Sequence, residues 1–149
     1  MGAGKDYKRP VSVQVVVYTR AGEVLMLLRR RPAGFWQSVT GSLEWGEMPP
    51  QAARRELFEE TGLVGVPRYC NLRYRFPIVS AWRSRYAPHV RYNREYVFAL
   101  ELPYRRPVCL DAQEHVAYRW LPWPEAARLA TSWTNREAIR ILVGRQGRP

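Results

Sequence analysis

Cysteine and acidic side chains are scarce in this chain, and no long apolar run is present. The 149 residues include two cysteines, and 13 Asp+Glu stand against 24 Lys+Arg, a formal net charge of +11. Cys70 and Cys109 lie far apart and form no CxxC, so they read as reduced, half-buried thiols rather than a disulfide or a metal site. No apolar stretch approaches the ~20 residues that a membrane-spanning helix needs. Met1 to Pro10 is basic but lacks the apolar core of a secretory signal, and the expected location is cytoplasmic. Internal repeats, low-complexity segments and long linkers are also missing. What remains is one domain over residues 1–149, with 46% apolar residues to build its core. The shortage of acids makes the surface attractive to polyanions, either nucleic acid or a phosphorylated small molecule.

Val11 to Tyr18 is continuous and β-branched, which predicts a buried strand. Ala21-Gly22 marks a turn, and Val24 to Leu28 is the return strand. Phe35 to Val39 reads as one short strand. Pro49 and Pro50 suit a first helical turn and Gly62 a helix end, which predicts a helix through Gln51–Thr61. Arg68 to Phe76, Glu95 to Leu102 and Val116 to Leu121 read as further strands. Pro77 to Asn93, long, aromatic and basic, reads as a functional loop. Thr134 and Glu137 have the spacing of a capping box that opens a last helix, through about Val143. Strands and helices mixed in this way predict an α/β or α+β sandwich, one mixed sheet with helices on its faces.

The acids that are present concentrate between Gly41 and Leu63, in GSLEWGEMPPQAARRELFEETGL. At about 100° per helical residue, Glu56, Glu59 and Glu60 share one arc. Like charges at this spacing repel, and a divalent cation turns that repulsion into binding. Hard carboxylate oxygens with room for water suit Mg²⁺ better than a soft metal. Gly41 and Gly46 bracket a loop that can bring backbone close to metal or phosphate, and Leu57 can anchor the helix to the core. Arg55 can hold Glu47 or a helix carboxylate.

This stretch resembles the Nudix signature G-x5-E-x7-R-E-U-x-E-E-x-G-U at every fixed position: Gly41, Glu47, Arg55, Glu56, Glu59, Glu60 and Gly62, with apolar Leu57 and Leu63. The resemblance implies a Nudix-type α/β/α sandwich with a loop–helix–loop catalytic platform, and hydrolysis of a nucleoside diphosphate linked to another group. Flanking stretches, among them YKRPVS at Tyr7–Ser12, FWQSVTGS at Phe35–Ser42, RYAP at Arg85–Pro88 and SWTNR at Ser132–Arg136, are similar to one bacterial subfamily, which acts on dihydroneopterin triphosphate in folate synthesis.

The resemblance implies roles. Glu56 and Glu60 are metal ligands, with Glu59 a further ligand or a base. Glu114 is a distant acid that closes the metal site, and Arg55 belongs to the catalytic machinery. Lys8, Arg29 and Thr40 occupy substrate-contact positions, and Lys8 and Arg29 read equally well as ordinary exposed charge. Phe76 and Ser132 line the pocket for the heterocycle; a core aromatic at a strand end is the other reading of Phe76. His115 reads as structural or supporting, and His89 as a solvated loop residue. The implied activity is a Mg²⁺-dependent pyrophosphohydrolase acting on a small-molecule triphosphate, with neither nucleic acid nor membrane as its partner. The alternatives are a broad or sanitising (deoxy)nucleoside triphosphate pyrophosphatase and an RNA-binding or RNA-end-processing protein.

Overall fold

The computed structural model describes residues 6–146. Its centre is β1 (Val11–Thr19), followed by β2 (Glu23–Arg29), β3 (Trp36–Gln37), β4 (Val39–Ser42), α1 (Pro49–Thr61), β5 (Arg68–Pro77), β6 (Tyr92–Leu102), β7 (His115–Pro122), α2 (Trp123–Leu129) and α3 (Trp133–Leu142). The seven strands form one mixed sheet in the order β3-β2-β1-β6-β5, with β4 also on β1 and β7 also on β2. β1 runs parallel to β6 along its whole length. Its other edge is shared: β4 pairs antiparallel with Ser12–Val15, while β2 meets it at the Tyr18–Val24 hairpin end. The sheet therefore forks.

Side chains on β1 alternate between two cores, as strand geometry requires. Val13, Val15 and Val17 pack with Ala52, Ala53 and Leu57 of α1. Val16 and Tyr18 pack on the opposite face with Ala126 and Ala127 of α2 and Ala138 and Ile139 of α3. This is the expected α/β/α sandwich.

Local chemistry sets the bounds of α1. Pro49 and Pro50 occupy its first turn, and the Gln51 side-chain oxygen accepts the Met48 N–H at 2.8 Å. Gly62 stops it at φ 74°, a left-handed conformation that glycine takes without a Cβ penalty. Ala52, Ala53, Leu57 and Glu60 form the buried row, which turns a carboxylate inward beside the apolar anchor.

Three expectations require correction, and one helix, α2, was not anticipated. The Phe35–Val39 strand divides at Ser38, where Asn135 of α3 accepts the Ser38 N–H at 2.9 Å and donates to its hydroxyl at 2.9 Å. That capture lets the chain leave β2 and join β1. No capping box forms at Thr134, because α3 begins after Ser132. Thr134 instead bonds the Ser132 hydroxyl, and Glu137 accepts from the Tyr74 hydroxyl at 2.9 Å. The short helix α2 had no visible periodicity; its seven residues bury only Ala126 and Ala127. Finally, Cys109 is exposed and only Cys70 is partly buried. No helix among the described residues is long and apolar enough to cross a membrane.

The α3 face of the sheet holds a buried polar seam. Gln14 donates to Glu95 at 3.0 Å, and Asn135 donates to Gln14 at 3.1 Å. Burial pushes the Glu95 carboxyl up to about 7, against the opposing hydrogen bonds from Thr134 and Gln14. A raised folded value means that this group's stabilisation is complete below its ordinary 4.5 and is lost as pH rises through about 7. Glu95→Gln keeps the acceptor and removes the charge. Its expected effect is to flatten the stability profile between pH 5 and 8 and to raise stability at pH 8 by about 1–3 kcal/mol, as denaturant unfolding would measure. An unchanged slope across that window would show that Glu95 is not the titrating group.

Candidate active site

The site lies where the sheet forks, beneath α1. Arg55 organises the glutamates. Its Nε and Nη2 form a two-pronged pair with Glu47, both at 2.8 Å, while Nη1 reaches Glu56 at 3.1 Å and Glu59 at 3.2 Å. Nη2 also donates to the Ser42 carbonyl at 3.2 Å, which ties the helix to β4. This planar fork suits a bidentate carboxylate pair in a way that lysine cannot. The Arg55 hydrogen bonds hold Glu47 below the usual carboxylate range. Arg9 adds a second brace by donating to the Glu44 and Glu47 carbonyls at 3.1 and 2.8 Å. Trp45, in the same loop, donates to the Tyr7 carbonyl at 2.9 Å and so anchors the segment that carries Lys8.

Glu56 and Glu60, one turn apart, interact electrostatically. Glu60 is only 6% exposed and accepts from the Thr40 N–H at 3.4 Å. Burial raises both carboxyls. For Glu56, Arg55 opposes the rise; for Glu60, the Glu56 charge adds to it. Gly41 explains how the pair fits against β4. A Cβ on Gly41 would lie 1.9 Å from Glu56 Oε2, so the carboxylate occupies the space that any other residue would fill. Glu59 sits further out, its side chain 52% exposed.

The donor set fits a hard divalent cation. Two crowded carboxyl groups, both raised by burial, are favoured in their ionised form by a positive charge placed beside them. Among the described residues, no three acidic, histidine or cysteine side chains stand close enough to form a ready cage. Glu114 approaches from the opposite wall. Its charge adds to the rise of Glu60 and opposes the lowering of Lys8 and Arg29.

That wall belongs to a cavity of about 550 Å³ lined by Arg29, Arg30, Arg31, Arg85, Ala112, Gln113 and Glu114. Arg29 lies against the Phe35 and Trp82 rings, 5.6 and 5.4 Å from their centroids. Partial burial lowers the Lys8 pKa, with Arg85 and Arg29 next as causes, so Lys8 shares the same basic field. The Thr40 hydroxyl donates to the Val13 carbonyl at 2.9 Å, while its backbone N–H is the group that reaches Glu60. Phe76 packs against the α2/α3 core, and Ser132 immediately precedes α3. His115 is fully buried and paired with Gln37 at 3.2 Å; burial, with Arg29 next, pushes it down to about 4. His89 is exposed, as a solvated loop residue should be.

Sequence reasoning missed Arg30, Arg31 and Arg85 as site residues. The Arg29–Arg31 run was a visible signal. Arg85 had none beyond its place in the RYAP stretch.

A carboxylate platform with its own arginine brace, facing a basic cavity across a forked sheet, defines an enzyme of phosphoric-anhydride chemistry. The NUDIX domain family profile matches residues 8–142. The chain belongs to the NUDIX family, whose hydrolases generally depend on a divalent metal. It is 48% identical over 145 residues to the dihydroneopterin triphosphate diphosphatase of Escherichia coli (strain K12), covering 93% of this chain and 95% of that protein. It is 36% identical over 141 residues to the Haemophilus influenzae protein of the same name, covering 91% and 88%. Among solved structures, the E. coli dihydroneopterin triphosphate pyrophosphohydrolase superposes with a TM-score of 0.88, covering 95% of this chain and 99% of that one.

Proposed function

We propose that this chain hydrolyses 7,8-dihydroneopterin triphosphate to dihydroneopterin monophosphate and pyrophosphate, with Mg²⁺ as the metal. The observation that carries this reading is the Glu56–Glu60 pair within electrostatic reach of Lys8 and of Arg29, which lines an arginine-rich cavity, in a chain 48% identical to a named dihydroneopterin triphosphate diphosphatase. Glu56, Glu60 and Glu114 would hold the ion, with Glu59 at its outer edge. When bound, Mg²⁺ supplies charge that polarises phosphate oxygens and acidifies water.

The chain's own groups do the rest. Lys8 and Arg29 bind phosphate oxygens, Lys8 as a point charge and Arg29 as a fork. Arg55 keeps Glu56 and Glu59 aligned. A water attacks phosphorus, the bridging P–O bond breaks, and a glutamate of this face takes the water's proton; Glu59, the most open of them, is the assigned base. Such reactions depend on positioning and charge stabilisation more than on covalent help. Phe76 and Ser132 border the heterocycle side.

The test is a hydrolysis screen with Mg²⁺ across dihydroneopterin triphosphate and the eight common nucleoside triphosphates, with product identification. A preference for the pterin with release of pyrophosphate is expected. Equal rates across all nucleotides would favour a sanitising pyrophosphatase, and orthophosphate as first product would overturn the pyrophosphohydrolase reading.

The metal assignment of Glu114 has its own test. Glu114 and Asp111 share one turn. The Asp111 carbonyl accepts the N–H groups of Glu114 and His115, and its side chain accepts from the Gln113 N–H at 3.0 Å. Asp111→Asn preserves that acceptor and is expected to change little. Glu114→Gln is expected to cost about 10–100-fold in rate and to raise the Mg²⁺ concentration needed for half-activity. Equal behaviour of the two variants would remove Glu114 from the site.

A further inference from the structure

The cavity beside Glu114 has an unusual charge balance. Arg29, Arg30, Arg31 and Arg85 converge on it, and Glu114 is the one acid in its lining. Among the described residues, none of these four guanidinium groups lies within ion-pair distance of a carboxylate; the pairs that form involve Arg20, Arg55 and Arg105. Four guanidinium groups facing one carboxylate leave an excess of like charge that costs stability, and a polyanion reverses that cost.

The group is also prearranged by backbone contacts. Arg29 Nε donates to the Arg31 carbonyl at 2.7 Å, and Arg30 Nε donates to the Ala112 carbonyl at 2.9 Å. The Arg30 N–H bonds the Glu114 carbonyl at 2.8 Å, and the Lys8 N–H bonds the Arg85 carbonyl at 2.8 Å. The Arg29–Arg31 run is thus tied to the Ala112–Glu114 segment, and Arg85 to Lys8. Among the described residues, Ala112 is the only apolar one lining the cavity and no aromatic ring does, so it offers a flat heterocycle little to stack on. Guanidinium forks match the paired oxygens of phosphoryl groups.

We infer that Arg30, Arg31 and Arg85 form a subsite for the pyrophosphate end of the substrate, and that this subsite holds pyrophosphate as leaving group and as product. This rests on the pyrophosphohydrolase reading above. It assigns the far phosphoryl groups to the arginine wall and the remaining monophosphate, with its heterocycle, to the side of Phe76 and Ser132. Charge neutralisation there favours departure of the bridging oxygen with its electron pair.

Calorimetric titration of the intact protein with Mg²⁺ present tests this directly. The probes are inorganic pyrophosphate, orthophosphate and neopterin monophosphate. Arg31→Ala/Arg85→Ala removes two side chains while leaving the backbone ties in place. It is expected to weaken pyrophosphate by at least about tenfold and neopterin monophosphate by less than about twofold. The control, Arg128→Ala/Arg140→Ala, removes the same charge from exposed positions on α2 and α3 and is expected to leave all three affinities unchanged. Equal weakening of pyrophosphate and monophosphate, equal weakening by the control pair, or no weakening would each overturn the subsite. If the double variant loses its thermal transition, Arg85→Ala alone decides by the same contrast. Should the screen select a different nucleoside triphosphate, titration with that nucleoside's monophosphate leaves the subsite standing. Should the pterin be hydrolysed while the contrast is absent, only the subsite falls.

Discussion

Glu60→Gln, or Glu56→Gln, is expected to lower turnover by on the order of 10²–10³-fold, the scale of losing one preorganised electrostatic contact to a transition state. Thermal stability should stay level or rise. Both carboxyls are raised by burial, and for Glu60 the Glu56 charge adds to it. The stabilisation that such groups contribute is complete below their ordinary 4.5 and is lost as pH rises through the higher folded values. In metal-free protein at pH 8, an amide therefore relieves a cost that a carboxylate imposes. Steady-state kinetics over a Mg²⁺ series, together with calorimetric melting, check both halves. Near-normal turnover would remove the variant residue from the metal site. A collapsed melting transition would make the cluster structural instead.

Gly41→Ala is expected to cost about 10²-fold in rate, the effect of misplacing a reacting group by about an ångström. The new Cβ would fall 1.9 Å from Glu56 Oε2 and 2.2 Å from Glu56 Cδ. The side chain has to yield, because β4 is fixed by its pairing to β1, with Gly41 opposite Val13. Glu56 then leaves both Arg55 and Glu60. Overpacking of this kind costs about 1–3 kcal/mol, so the melting temperature should fall modestly while the fold survives. Gly46→Ala supplies the contrast. Gly46 has φ 85° and nothing within 4 Å of a Cβ, so only backbone strain results and the rate should hold. Equal losses in the two variants would show that Gly41 acts through backbone freedom rather than by making room for Glu56.

Legibility followed the range of each interaction. The strand Val11–Thr19 and the helix Pro49–Thr61 were readable because β-branching, prolines and a terminal glycine act within a few residues. The shared face of Glu56, Glu59 and Glu60 was readable for the same reason, since helical spacing converts residue numbers into angles. What the angles left undetermined was the inequality among the three: Glu60 is sunk beneath β4, Glu56 fills the gap at Gly41, and Glu59 stays in solvent. The failures share a cause. Thr134 and Glu137 had capping-box spacing, yet the helix starts after Ser132, and Glu95 and Tyr74 from two strands engage their side chains. Ser38 looked like mid-strand until Asn135, 97 residues away, took its backbone.

By itself, the sequence determined the chemistry: an acid-rich loop and helix in an otherwise basic chain, with every glutamate of the platform on one continuous segment. Covalent spacing alone brings those groups together. Only the tertiary structure decided what faces that platform. Lys8, the Arg29–Arg31 run, Arg85 and Glu114 come from four separate segments, and a forked sheet gathers them on one side of the carboxylates. No local pattern encodes that meeting, because each of these residues is an ordinary solvated charge until the strands pair.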